Sequence, residues 1–62
     1  MSGYGIKVET DTGHFLWLTE TGTAKVKTAK GVIKFDSEVA AMMYRNTMAV
    51  NNPHANLIVK KF

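Results

Sequence analysis

The sequence predicts an α+β fold: a single antiparallel β-sheet in the order β-β-β-β-α-β, with one amphipathic helix packed on one face. Three observations carry this. The first half of the chain holds four short runs rich in β-branched and aromatic residues, each parted from the next by a glycine. At Phe35-Asp36-Ser37 the hydrophobic pattern changes to the 3.6-residue period of a helix. Beyond Pro53, "ANLIVKKF" reads as a closing strand.

The four runs are Tyr4 to Thr10, His14 to Thr19, Thr23 to Ala29 and Val32 to Phe35. Their loops set the register. A two-residue turn at Thr12-Gly13 needs positive φ at a β-branched threonine, which is costly. A three-residue loop, Asp11-Thr12-Gly13, instead places glycine at the left-handed position of a type I turn with a G1 bulge. Thr10 then pairs with His14, Val8 with Leu16 and Ile6 with Leu18. The same geometry at Glu20-Thr21-Gly22 pairs Thr19 with Thr23, Leu18 with Ala24 and Leu16 with Val26. One face thus carries Ile6, Val8, Leu16, Leu18, Ala24 and Val26 without a charge, and it belongs under the helix.

The helix is expected over about Ser37 to Val50. At 100° per residue, Val39, Ala40, Ala41, Met43, Tyr44, Thr47, Met48 and Val50 fall in one broad arc, with Glu38, Arg45 and Asn46 outside it. Asp36 is the expected N-cap, Glu38 suits the helix dipole, and Phe35 is placed to staple onto Ala40. Asn51-Asn52-Pro53 ends the helix, because the residue before proline avoids the α region.

The chain's 62 residues make one domain, 1–62, near the size at which a single hydrophobic core is barely sufficient. With no cysteine, neither disulfides nor thiolate metal sites reinforce it. The net charge of +3 suits an acidic partner or nucleic acid but falls short of a polycation. No stretch approaches the roughly 20 apolar residues of a membrane-spanning helix. "MSGYGIKVET" lacks both the apolar region of a signal peptide and a glycine directly after Met1, so a cytoplasmic location is expected.

The opposite sheet face is the candidate site. "FLWL" is apolar at four consecutive positions, so Leu16 and Leu18 serve the core while Phe15 and Trp17 stand on the other side. There the register pairs Glu9 with Phe15, Lys7 with Trp17, Trp17 with Lys25 and Phe15 with Lys27. A two-residue hairpin at Lys30-Gly31 sets Lys34 opposite Lys27. The candidate partner-binding set is therefore Phe15, Trp17, Lys7, Lys25, Lys27 and Lys34.

Three readings compete for it. In the first, this face is also covered, by the last strand's neighbourhood, the chain ends or Tyr4. In the second, Phe15 and Trp17 anchor a protein with lysines as the rim, self-association into a homodimer being the simplest version. In the third, they stack unpaired bases while the lysines meet phosphates. Glu9 beside Phe15 and the lack of an RNP-type motif weigh against the third.

Catalysis finds little footing. His14 and His54 each flank a turn, and Ser2 and Ser37 are terminal and helix-capping by position. No carboxylates are spaced for acid–base work, no ligand set has metal spacing, and "SGYG" is too short to cradle a phosphate. The expectation is a non-enzymatic protein without cofactor or metal.

From residue 15 onward the pattern resembles small phage and prophage-encoded proteins. Phe15-Leu16 and Gly22 match their hairpin, Phe35-Asp36-Ser37 with Ala40 their helix start, and Ile58-Val59-Lys60 their closing strand. The resemblance is structural. It implies no activity, and makes an accessory or host-directed binding role the expectation. Protein binding through the Phe15/Trp17 face is thus the leading function, with single-stranded nucleic acid the alternative.

Overall fold

The computed structural model describes residues 3–62; Ser2, set aside above as a nucleophile, lies outside them. The fold is α+β, in the order β1 (Tyr4–Glu9), β2 (Phe15–Leu18), β3 (Thr23–Ala24), α1 (Glu38–Asn51) and β4 (Leu57–Lys61). The strands form one antiparallel sheet ordered β3-β2-β1-β4, with α1 packed over β1 and β4.

The first hairpin follows its loop chemistry. Gly13 adopts φ +84°, Gly13 N–H donates to Thr10 O at 3.0 Å, and Thr10 N–H donates to His14 O at 2.7 Å. This sets Glu9 against Phe15, Val8 against Leu16 and Lys7 against Trp17, as the three-residue loop requires.

The second hairpin departs from expectation by one residue. Thr19 Oγ1 accepts the N–H groups of Thr21 and Gly22 at 3.3 and 2.9 Å, while Thr19 N–H donates to Gly22 O at 2.8 Å. The threonine side chain thereby closes a shorter loop without a left-handed residue. Leu18 now pairs with Thr23 and Trp17 with Ala24, so Ala24 joins the Trp17 face. A one-residue slip exchanges the two faces of a strand.

The expected fourth strand does not form as an element, and the order is β-β-β-α-β. After Ala24 the chain turns twice, with Ala29 N–H bonded to Val26 O and Val32 N–H to Ala29 O. Residues 31–35 then enter the fork where β1 and β2 diverge. Ile33 N–H donates to Leu18 O at 3.2 Å, Glu20 N–H to Gly31 O at 3.0 Å, and Tyr4 and Phe35 exchange both backbone bonds. Val32 and Phe35 therefore make isolated bridges to Thr19 and Tyr4, in place of the expected Ile6–Leu18 pair and the Lys30-Gly31 hairpin.

Ser37, not Asp36, caps α1: its backbone is extended and its Oγ accepts Ala40 N–H at 3.2 Å. Phe35 rests on Tyr44, with ring centroids 5.3 Å apart, rather than stapling onto Ala40. The buried centre is Ile6, Ala41 and Leu57, joined by Val32 and Trp17. Ala41, Tyr44, Arg45, Met48 and Ala49 form the inward stripe of the helix. Only the Ala41/Tyr44/Met48 edge of the expected arc is used. Arg45, expected outside, is half-buried because its Nε donates to Leu57 O at 3.0 Å. Val39, Met43 and Val50, expected inside, are 66%, 67% and 81% exposed.

Candidate functional site

The face opposite the helix is set by strand alternation. Gly5, Lys7 and Glu9 of β1, Phe15 and Trp17 of β2, and Ile58 and Lys60 of β4 share it, since Lys7 pairs with both Trp17 and Ile58, and Gly5 with Lys60. Phe62 continues the β4 alternation and is held by its N–H bond to Gly3 O at 2.9 Å.

Trp17 does not protrude from this face. It is 7% exposed, with the Phe62 ring 4.8 Å away at 34°. Gly5 permits the approach: a β-carbon there would stand 2.8 Å from Phe62 Cζ and 2.9 Å from Trp17 Cζ3. Lys7 Nζ lies 4.8 Å from the Trp17 ring centroid, and Lys34 Nζ 5.8 Å from that of Phe62. Both ammonium groups are within reach of a cation–π interaction. For the indole the structure matches the first of the three readings, a face covered by the last strand's neighbourhood: Trp17 is a platform under Phe62.

The other candidate residues divide. Phe15 is half-buried beside Trp17. Lys25 pairs with nothing in the sheet, because β3 ends at Ala24. Lys27 and Lys34 do not oppose each other on a hairpin, yet they line one cleft of about 360 Å³ with Phe35, Asp36 and Phe62. Glu9 is turned to the sheet edge, where Asn56 Nδ2 donates to its Oε1 at 3.1 Å. The signal for Phe62 is present in the "IVKKF" alternation, but its partner is defined only once β4 is placed beside β1.

Two of the polar groups set aside for catalysis have local roles. His14 Nδ1 and Thr12 Oγ1 are bonded at 2.9 Å within the first hairpin, and Ser37 Oγ is the helix cap. Among the described residues no three His, Asp or Glu side chains group as metal ligands, and no helix is long and apolar enough to cross a membrane.

Two apolar surfaces lie elsewhere. A groove of about 240 Å³ between the end of α1 and the β2–β3 side is lined by Val8, Leu18, Met48, Ala55 and Leu57. The outward face of α1 exposes Val39, Met42, Met43 and Val50. Compared with known proteins, the chain matches no family model, no curated sequence and no solved structure.

Proposed function

We propose that the chain is a non-enzymatic module that binds an acidic protein surface through the sheet face bearing Lys7, Phe15, Ile58, Lys60 and Phe62. The observation that carries this reading is the pairing of two of the face's three rings with a cation: Lys7 with Trp17, and Lys34 with Phe62. Half-buried Phe15 and Phe62 and the more exposed Ile58 supply an apolar centre, and the lysines a basic rim. Such a rim steers an acidic partner and fixes its orientation. Glu9 is the one acid on this face and lies at the end of β1, away from Lys60, where its Oε1 accepts from Asn56 Nδ2.

Single-stranded nucleic acid is the competing reading. The lysines suit phosphates, but base stacking needs a free ring, and Trp17 and Phe62 already face each other. The resemblance to phage-encoded proteins would make the protein partner a host one.

Titration of the ¹⁵N-labelled chain with an acidic, phenylalanine-containing peptide, and separately with oligo(dT), tests the proposal. The peptide is expected to move the amides of Lys7, Ile58, Lys60 and Phe62 near physiological ionic strength, and the double variant Lys7→Glu, Lys60→Glu to abolish the response. Binding of oligo(dT) alone, falling log-linearly with salt, would favour the nucleic-acid reading instead.

A further inference from the structure

β4 is an outer strand of the sheet, and its register fixes which of its backbone groups are already bonded. Phe62 N–H donates to Gly3 O at 2.9 Å and Glu9 N–H to Asn56 O at 3.0 Å, and each of these pairs stands directly opposite in the β1–β4 register. In an antiparallel ladder such bonded pairs alternate with unbonded ones. Asn56, Ile58, Lys60 and Phe62 therefore turn their N–H and C=O groups to β1, while Leu57, Val59 and Lys61 turn theirs to the outside. Arg45 agrees with this, since its Nε donates to the outward Leu57 O at 3.0 Å. Among the described residues nothing bonds the outward N–H and C=O groups of Val59 and Lys61. The opposite edge is β3, only two residues long and too short to template a strand.

We propose that the β4 edge takes an extended acidic segment of another protein as a fifth, antiparallel strand. The inference rests on the acidic partner proposed above and adds how that partner is held. Donors and acceptors at alternate residues are matched by another extended backbone, so Val59 and Lys61 can each exchange a pair of bonds with the residue across from it. Side chains then select the sequence. Lys61 lies on the helix side of the sheet and Lys60 on the other side, both exposed, so acids across from them are favoured on both faces. Half-buried Val59 and Ile58, 37% exposed, favour apolar neighbours. Antiparallel addition turns this into an order: acid, acid, apolar, apolar, read from the partner's N-terminal side.

A second copy of this chain fits the edge poorly. Its β4 would bring two more lysines to the same row, between chains that each carry a net charge of +3. The lysines that blunt the edge against self-pairing are the groups that admit an acidic strand.

Amide hydrogen exchange of the full ¹⁵N-labelled chain, with a blocked peptide carrying Asp-Glu-Val-Val at its centre, tests this. At saturation, exchange at Val59 and Lys61 is expected to slow at least about fivefold, because these outward amides gain a partner. N-methylation of the first peptide valine, whose N–H faces Val59, is expected to abolish binding. N-methylation of the glutamate, whose N–H points away, leaves it intact, and neither change touches the fold of the chain. A Lys-Lys-Val-Val peptide is expected to bind at least about tenfold more weakly. Shifts at Lys7, Ile58 and Lys60 without slowed exchange at Val59 and Lys61 would overturn edge addition and leave the acidic partner on the sheet face. Binding indifferent to both N-methyl groups would do the same. Failure of this peptide and of the acidic phenylalanine-containing peptide alike would overturn both readings. Protection of Val59 and Lys61 that rises with chain concentration, without peptide, would give the edge to a second copy instead.

Discussion

Phe62 lies against Trp17 at 4.8 Å between ring centroids, and Gly5 is the residue that lets the two meet. The contact joins the residue after β4 to the middle of β2 across β1, so it reports on the assembly of three strands. Phe62→Ala removes the cover of the only indole in the chain. The expected outcome is a loss of about 1–3 kcal/mol, less than for a fully buried phenylalanine because Phe62 is half-buried. Trp17 emission shifts to longer wavelength and becomes open to iodide. Phe62→Leu, which keeps most of the apolar bulk, recovers much of both. An unchanged emission spectrum in Phe62→Ala would show that Trp17 is shielded by something else.

Gly5→Ala tests the same contact from below. The added carbon meets Phe62 Cζ at 2.8 Å and Trp17 Cζ3 at 2.9 Å, so at least one ring must move. Overpacking of this kind costs about 1–3 kcal/mol. The two contacts predict a coupling. In a Phe62→Ala background the cost of Gly5→Ala falls, because one of the clashing rings is gone, but it does not vanish while Trp17 stays in place. Thermal or denaturant unfolding of the two single variants and the double variant measures this.

Ser37 and Asp36 are rival caps by sequence, and the hydrogen bond decides between them. Ser37 Oγ accepts Ala40 N–H, so Ser37→Ala leaves an orphan donor in the first turn of α1. A loss of about 1 kcal/mol is expected, whereas Asp36→Ala, at an exposed position outside the cap, stays within about 0.5 kcal/mol. Equal effects of the two substitutions in urea unfolding would contradict the assignment.

How far the sequence reaches follows from how local each determinant is. The first hairpin is legible because Asp11-Thr12-Gly13 contains its own register signal, a glycine where positive φ is needed. Glu20-Thr21-Gly22 has the same spacing, but there Thr19 Oγ1 takes the place of a backbone acceptor, a choice that spacing does not reveal. The facing of the helix is obscured for another reason. Val39, Ala40, Ala41, Met43, Met48 and Val50 spread apolar character over so wide an arc that periodicity fixes a helix without fixing its inward side. Ala41, a small residue, is the one fully buried on the helix, whereas the larger Val39 and Val50 are exposed. The aromatic face is legible on β2, yet the cover over Trp17 comes from Phe62, at the far end of the chain. Only the β1–β4 register, with Gly5 against Lys60, brings the two together.

Arg45 gives the sharpest test of that helix orientation. A charged residue on the inward side is tolerated because its Nε reaches Leu57 O at 3.0 Å and its Nη1 reaches Asn46 Oδ1, while its aliphatic stem lies along the helix–sheet boundary. Leu57 is 4% exposed, so losing the donor leaves its carbonyl with fewer routes to water. Arg45→Met keeps most of the stem and removes the donors. A cost of about 1–3 kcal/mol is expected, the range for a part-buried hydrogen bond from a charged group. Met42→Gln, on an exposed part of the same helix, is expected to stay within about 0.5 kcal/mol. Hydrogen exchange then locates the effect. In Arg45→Met, amides at the start of β4 are expected to lose protection before those of β2, because the bond ties α1 to the β4 end of the sheet. If Arg45→Met were as mild as Met42→Gln, Arg45 would belong on the solvent side, where helical periodicity alone puts it, and Val39 and Val50 would turn inward.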